Sequence, residues 1–207
     1  IRVGFGPSAI AYSQALNRVY VANTYSNTVS VIDPTRIGTI NNPVLGTITV
    51  PDSPVALAIT TDGRSAWVTS SARPTLARID LDSSTVTARI SLPLRPAGLA
   101  LSPDQSRAYV TGFGPQVAVV DTRAESVIKS VPLPACPQVR CVAMSAAVSA
   151  DGKQVYIANT SINQISVLNA DTNELTATRI NVGQGPRAVL LGPAPRTTPS
   201  SASEVSN

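Results

Sequence analysis

Hydrophobic and polar positions alternate in short runs along this chain, and the runs repeat. Val55–Ile59 (VALAI), Ala66–Thr69 (AWVT), Leu76–Asp80 (LARID) and Thr85–Leu92 (TVTARISL) follow one another with turn residues between them. Such runs, rich in β-branched residues and bounded by Gly, Pro, Asn, Asp and Ser, predict β-strands. No window shows the i, i+3, i+4, i+7 spacing of an amphipathic helix, so almost no helix is expected. The same four-run sentence recurs over residues 7–50, 54–92, 96–133 and 143–182, and a fifth copy begins at Pro186. Each copy carries an aromatic residue at one fixed place in its second strand: Tyr20, Trp67, Tyr109 and Tyr156.

The aromatic anchors are 47, 42 and 47 residues apart. A period near 40–45 with several short strands per unit predicts the blades of a β-propeller. The expected fold is therefore all-β, with four-stranded antiparallel blades. Call the strands of one copy A to D. The connections B–C and D–A then share one rim, and A–B and C–D share the other. The surplus residues fall around Asn41-Asn42-Pro43 in the first C–D hairpin and around Cys136–Cys141 in the link before the fourth copy. Insertions of this kind often mark the binding face of a repeat protein.

The strings YVANTYSNTVSVID and YIANTSINQISVLN resemble the YVTN-type β-propeller repeat of bacterial and archaeal cell-surface proteins. The resemblance covers about residues 1–191 and implies a surface-exposed scaffold or ligand-binding domain. The second and third copies depart from it in the B–C turn, with SSARPT and GFGPQ.

The ends are out of phase with the repeat. Ile1–Pro7 aligns with Ile180–Pro186, so it is expected to be the end of an outer D strand, while Ala188–Leu191 is expected to be an inner A strand. The expectation is four complete blades plus partial blades at both ends, over residues 1–192, from a larger propeller of seven blades. The open flanks would then be covered by the remaining blades or by a protein partner. Residues 193–207, rich in Pro, Ser and Thr, are expected to be disordered.

Composition narrows the chemistry. The chain has no His, which removes the commonest general base and metal ligand. Net charge is +4, but the Arg residues are scattered and form no basic tract interleaved with aromatics, so no nucleic-acid partner is expected. No apolar run is long enough to predict membrane insertion. No cofactor or metal is expected. Asp33, Asp80 and Asp121, with Asn169 in the fourth copy, end their third strands and read as turn formers rather than acids. Asn23 and Asn159 read the same way.

The candidate binding surface is the D–A/B–C rim, with Tyr25, Phe113 and Ile162 at loop tips and Arg73, Arg95, Arg140 and Arg187 near them. The leading reading is a non-catalytic, exported interaction domain. The alternatives are a propeller lactonase or sugar-acid hydrolase with a divalent metal, for which Asp52, Asn23 and Asn159 are the available ligands, and a redox propeller whose cofactor lies outside this chain. Cys136 and Cys141 suit a local disulfide in an oxidising compartment, the other possibility being two free thiols in a cytosolic loop. If they are bonded, iodoacetamide adds no mass to the native or unfolded chain until a reductant is present; two labels without reductant would show free thiols.

Overall fold

The computed structural model describes residues 1–39, 42–50, 52–133 and 141–192. Its strands form four separate antiparallel sheets. The first contains β1 (Pro7–Ser13), β2 (Arg18–Asn23), β3 (Thr28–Ile32) and β4 (Val44–Thr49). The second contains β5 (Pro54–Ile59), β6 (Ser65–Ser70), β7 (Thr75–Asp80) and β8 (Thr85–Ser91). The third contains β9 (Arg95–Leu101), β10 (Arg107–Phe113), β11 (Gln116–Asp121) and β12 (Ser126–Pro132). The fourth contains β13 (Ala143–Val148), β14 (Gln154–Asn159), β15 (Gln164–Asn169) and β16 (Glu174–Asn181). Every sheet is a meander in chain order, and the only helix among the described residues is a 3-10 turn at Pro34–Arg36. These are four propeller blades, as the repeat predicts.

The blades pack in sequence through their inner strands, β1 on β5, β5 on β9 and β9 on β13. The three hydrophobic cores accordingly lie between sheets. Tyr20, Val29 and Ile48 of the first blade share a core with Ala66, Val68 and Ile79 of the second. Trp67, Leu76 and Ile90 of the second pack with Ala108, Val110 and Val120 of the third. Tyr109, Val117 and Val119 then pack with Val155, Ile157 and Leu168 of the fourth. The anchor aromatics Tyr20, Trp67 and Tyr109 are thus the packing residues their mid-strand position predicts. Tyr156 is only half buried, and its hydroxyl donates to Gln154 Oε1 at 2.6 Å.

Each inner strand carries a bulge near its start, at Ser8, Val55, Ala97 and Met144. A bulge adds one unpaired residue and increases local twist, here at the same point of each blade. Gly98 follows the third bulge. A Cβ built on it would lie 2.5 Å from Thr111 Oγ1 and 2.6 Å from the Met144 carbonyl oxygen, so β13 approaches β9 more closely than a side chain would allow.

The third-strand carboxylates do what their position predicts. Asp33 Oδ1 accepts from Thr35 N–H at 3.0 Å, Asp80 Oδ1 from Ser83 N–H at 2.8 Å, and Asp121 Oδ1 from Arg123 and Ala124 N–H, both at 2.8 Å. Asn169 Oδ1 repeats this with Asp171 and Thr172 N–H.

Asn23 and Asn159 require a correction. Both are fully buried strand residues, not turn formers. Their side-chain amides donate across to β3 and β15, from Asn23 to Ser30 Oγ at 2.9 Å and from Asn159 to Ser166 Oγ at 2.6 Å. The turns are made instead by Asn27 and Asn163, at φ +53° and +57°, a region Asn tolerates better than most residues. The Asn41 position of the first insertion, and the tail at 193–207, lie outside the described residues. Ile1–Val3 and Ala188–Leu191 form no strand.

Because each anchor fills the space between two sheets, Trp67→Ala should lower unfolding free energy by about 3–5 kcal/mol. Tyr156→Ala, at a half-covered face, should lower it by much less. Urea midpoints of the two variants check this.

Candidate binding rims

The D–A/B–C rim is built by backbone ties between each B–C turn and the chain entering an inner strand. In the first blade Thr24 N–H donates to the Gly6 carbonyl at 2.8 Å and Tyr25 N–H to the Phe5 carbonyl at 3.1 Å. Phe5 N–H in turn donates to Ser26 Oγ at 2.7 Å. These bonds hold two aromatic side chains outward: Tyr25 is 82% exposed and Phe5 81%. The Tyr25 ring lies over Gly6, where a Cβ would meet it at 2.6 Å and where φ is +66°. The sequence reading missed Phe5. The available signal was a Phe in Gly4-Phe5-Gly6-Pro7 where the later copy has Gln184.

In the third blade Arg95 and Phe113 face each other as paired residues of β9 and β10. The Arg95 guanidinium sits over the Phe113 ring, 5.5 Å from its centre. An exposed cation–π contact of this kind is worth about 0.5–1 kcal/mol. Phe113 is 47% exposed and bridges Val142 on the approach to the fourth blade. Gly114 N–H donates to the Cys141 carbonyl at 2.9 Å.

Arg73 is exposed on the same rim, with Nε 3.6 Å from Asp52 Oδ1. Arg187 is exposed beside Pro186. Ile162 is half buried and therefore stands apart from the exposed aromatics. Arg140 and Cys136 lie outside the described residues. Cys141 is buried, and no cysteine among the described residues is a free thiol.

Two latches join blade to blade here. Asn27 Oδ1 accepts from Ser53 N–H at 2.8 Å, and Thr24 Oγ1 donates to the Pro54 carbonyl at 2.7 Å. The fourth blade repeats both contacts toward the fifth copy, with Gly185 N–H on Asn163 Oδ1 at 2.8 Å and Thr160 Oγ1 on the Pro186 carbonyl at 2.7 Å. Residues 185–186 thus stand where the next inner strand would start.

The proposed metal ligands do not converge. Asp52 is paired with Arg73, and the Asn23 and Asn159 amides are tied into separate blades. No group of three His, Cys, Asp or Glu among the described residues is placed to hold a metal ion. Glu125 and Glu174 act on the opposite rim as links between neighbouring blades, 3.6 Å from Arg78 and 3.5 Å from Lys129.

That opposite rim has its own repeated device in the A–B turns. Asp62 Oδ1 accepts from Thr60 Oγ1 at 2.6 Å and Arg64 N–H at 3.0 Å. Asp104 accepts from Ser102 Oγ and Ser106 Oγ, both at 2.6 Å, and from Ser106 N–H. Asp151 accepts from Ser149 Oγ and Lys153 N–H. Between these turns lie inter-blade clefts, one of about 220 Å³ between the second and third blades and one of about 310 Å³ between the third and fourth.

The chain is similar to a solved structure, Kuenenia stuttgartiensis hydrazine synthase, with a TM-score of 0.73 and 20% sequence identity. The fold is a β-propeller. The match covers 87% of this chain and 51% of the solved one, so the chain spans about half the length of that protein. No protein-family model matches the chain, and no curated protein matches it. At this identity the likeness concerns the fold alone. Within the propeller no described helix is long and apolar enough to cross a membrane.

The turn carboxylates link propeller stability to pH. The Ser102 hydroxyl, then the Ser106 hydroxyl and N–H, hold Asp104 down at about 2. Hydroxyl bonds first, then backbone N–H, likewise lower Asp62 and Asp151. A carboxyl depressed in the folded state stabilises above its unfolded value and loses that contribution as pH falls through the folded one. Thermal unfolding followed by circular dichroism should therefore show Tm falling between about pH 4 and pH 2. Asp104→Asn should flatten that fall.

Proposed function

We propose that the chain is a non-catalytic, exported propeller module that binds a protein through its D–A/B–C rim. The observation that carries this reading is the placement of aromatic residues. Both phenylalanines of the chain, Phe5 and Phe113, are exposed on that rim, together with Tyr25. Arg95 stacks on Phe113, and Arg73 and Arg187 flank the same rim. Aromatic and Arg side chains are enriched at the centres of protein interfaces, where desolvation makes each contact count most. A polar rim with buried aromatics would not favour this reading.

The finer attribution, to the YVTN-type cell-surface proteins, rests on the repeat strings around Asn23–Asp33 and Asn159–Asn169. Export is supported by the Cys136 and Cys141 spacing, which suits a disulfide. The exposure of Ile10 and Tyr12 on β1 supports reading that face as one a protein partner would cover. Leu57 and Ile59 occupy the equivalent positions of β5 and pack against the first blade.

A natural partner recovered with the wild-type chain should bind Phe5→Ala/Tyr25→Ala/Phe113→Ala at least tenfold more weakly. Arg64→Ala, at an exposed A–B turn on the other rim, should bind normally. Surface plasmon resonance with matched circular dichroism spectra separates lost contact from lost fold. Unchanged affinity in the triple variant would exclude this rim.

A further inference from the structure

We propose that the protein bound by the D–A/B–C rim presents an acidic segment, its carboxylates seated on the rim arginines and its apolar side chains on the rim aromatics. This inference rests on the reading of that rim as a protein-binding surface and names the partner's chemistry.

Charge is segregated between the two rims. Among the described residues fourteen Lys and Arg stand against eleven Asp and Glu. Ten of those eleven carboxylates lie in or beside the A–B and C–D turns, and only Asp52 lies on the D–A/B–C rim. Four arginines share that rim with it. Arg73 is in a B–C turn, and Arg2, Arg95 and Arg187 are on the segments that enter β1, β9 and the fifth copy. The ten remaining cations equal the ten remaining carboxylates in number, so the whole excess of three positive charges among the described residues belongs to this rim.

Turn chemistry explains the carboxylates. Asp33, Asp62, Asp80, Asp104, Asp121 and Asp151 each close a turn on the A–B/C–D rim by accepting backbone N–H bonds. On the D–A/B–C rim Asn27, Asn163 and backbone pairs hold the chain, and none of them carries charge. The rim arginines have no such role in a turn.

Their donors are also unused. On the A–B/C–D rim Arg18, Arg36 and Arg78 each approach a carboxylate at 3.6 Å, and Lys129 does so at 3.5 Å. Arg2, Arg95 and Arg187 are exposed, with neither an ion pair nor a side-chain hydrogen bond among the described residues. Arg73 approaches Asp52 through Nε alone, and its side chain is 82% exposed. The Arg95 guanidinium gives one face to the Phe113 ring. Its in-plane N–H groups are left to meet a carboxylate fork, and the stacking already orders the side chain for that contact.

The aromatics decide between classes of anion. Charge alone does not call for exposed rings, yet Phe5 and Tyr25 stand beside these arginines at 81% and 82% exposure. A protein segment carrying both carboxylates and apolar groups uses both sets. A nucleic-acid strand follows a continuous basic groove. Here the arginines are spread around the rim, with the one carboxylate among them.

Panning a displayed library of random peptides on the immobilised full chain tests this, with polygalacturonate and oligothymidylate as non-protein polyanions. Selected peptides should be enriched in Asp and Glu beside aromatic or aliphatic residues. Their affinity should fall at least tenfold as NaCl rises from about 0.05 M to about 0.5 M. Arg95→Glu/Arg187→Glu should weaken them at least tenfold. Arg64→Glu/Lys153→Glu, an equal change of charge on the other rim, should weaken them less than about threefold. Circular dichroism melting curves check that both double variants are folded. Peptides that lose binding to Phe5→Ala/Tyr25→Ala/Phe113→Ala, yet carry no acidic excess and ignore salt, would overturn the inference and leave the rim reading standing. Peptides indifferent both to that triple variant and to the arginine reversals would overturn the two together. No enriched peptide, or tighter binding of either polyanion than of any selected peptide, would also overturn the inference.

Discussion

A four-stranded sheet alone cannot bury both of its faces, and this constraint organises the whole propeller. Each blade solves it by lending one face to its successor. Tyr20, Trp67 and Tyr109 stand at the centre of these shared surfaces, and small or branched residues of the next B strand receive them. Apolar burial is favourable at about 25 cal/mol per Å², so the large aromatic at each junction contributes more than any single hydrogen bond of the rims. Strand pairing gives a blade its shape, but the contacts between blades make that shape stable.

The polar contacts serve register more than cohesion. Asn27 and Thr24 fix where the second blade enters its inner strand, and Asn163 and Thr160 do the same after the fourth. In the second and third blades the corresponding Asn residues are absent, and other ties replace them. The third blade reaches the fourth through Phe113 and Gly114, which pair with Val142 and Cys141, while in the second the Ser71 and Ala72 N–H bonds to the Ser53 and Asp52 carbonyls hold its own inner strand, as the Thr24 and Tyr25 bonds do in the first. The rim can therefore vary its side chains while the chain path is kept.

Much of the fold was legible because its determinants are local and periodic. Strand length, the turn role of Asp33, Asp80 and Asp121, and the packing role of the anchors all follow from position within one copy. Asn23 and Asn159 were misread because their pattern, a small polar residue before a turn, is common to turn formers and to buried cross-strand donors. Only the distance to Ser30 and Ser166 separates the two. The site was less legible. Tyr25 and Phe113 could be placed on one rim from loop order alone, whereas Phe5 needed the backbone tie to Tyr25, and Ile162 is half buried.

The exposed face of β1 has a consequence for how this molecule opens. Ile10 is 72% and Tyr12 55% exposed, although Leu57 and Ile59 at the same places in β5 are packed. The face of the fourth blade beyond Tyr156 is likewise only partly covered. In a linear array each unit draws its stability from its neighbours, so a unit covered on one side melts before a unit covered on both. Amide exchange should then slow progressively from both outer blades toward the junction of the second and third. The chain would fray inward rather than open from the middle, and its most lasting structure would be the pair of blades whose loops depart furthest from the repeat.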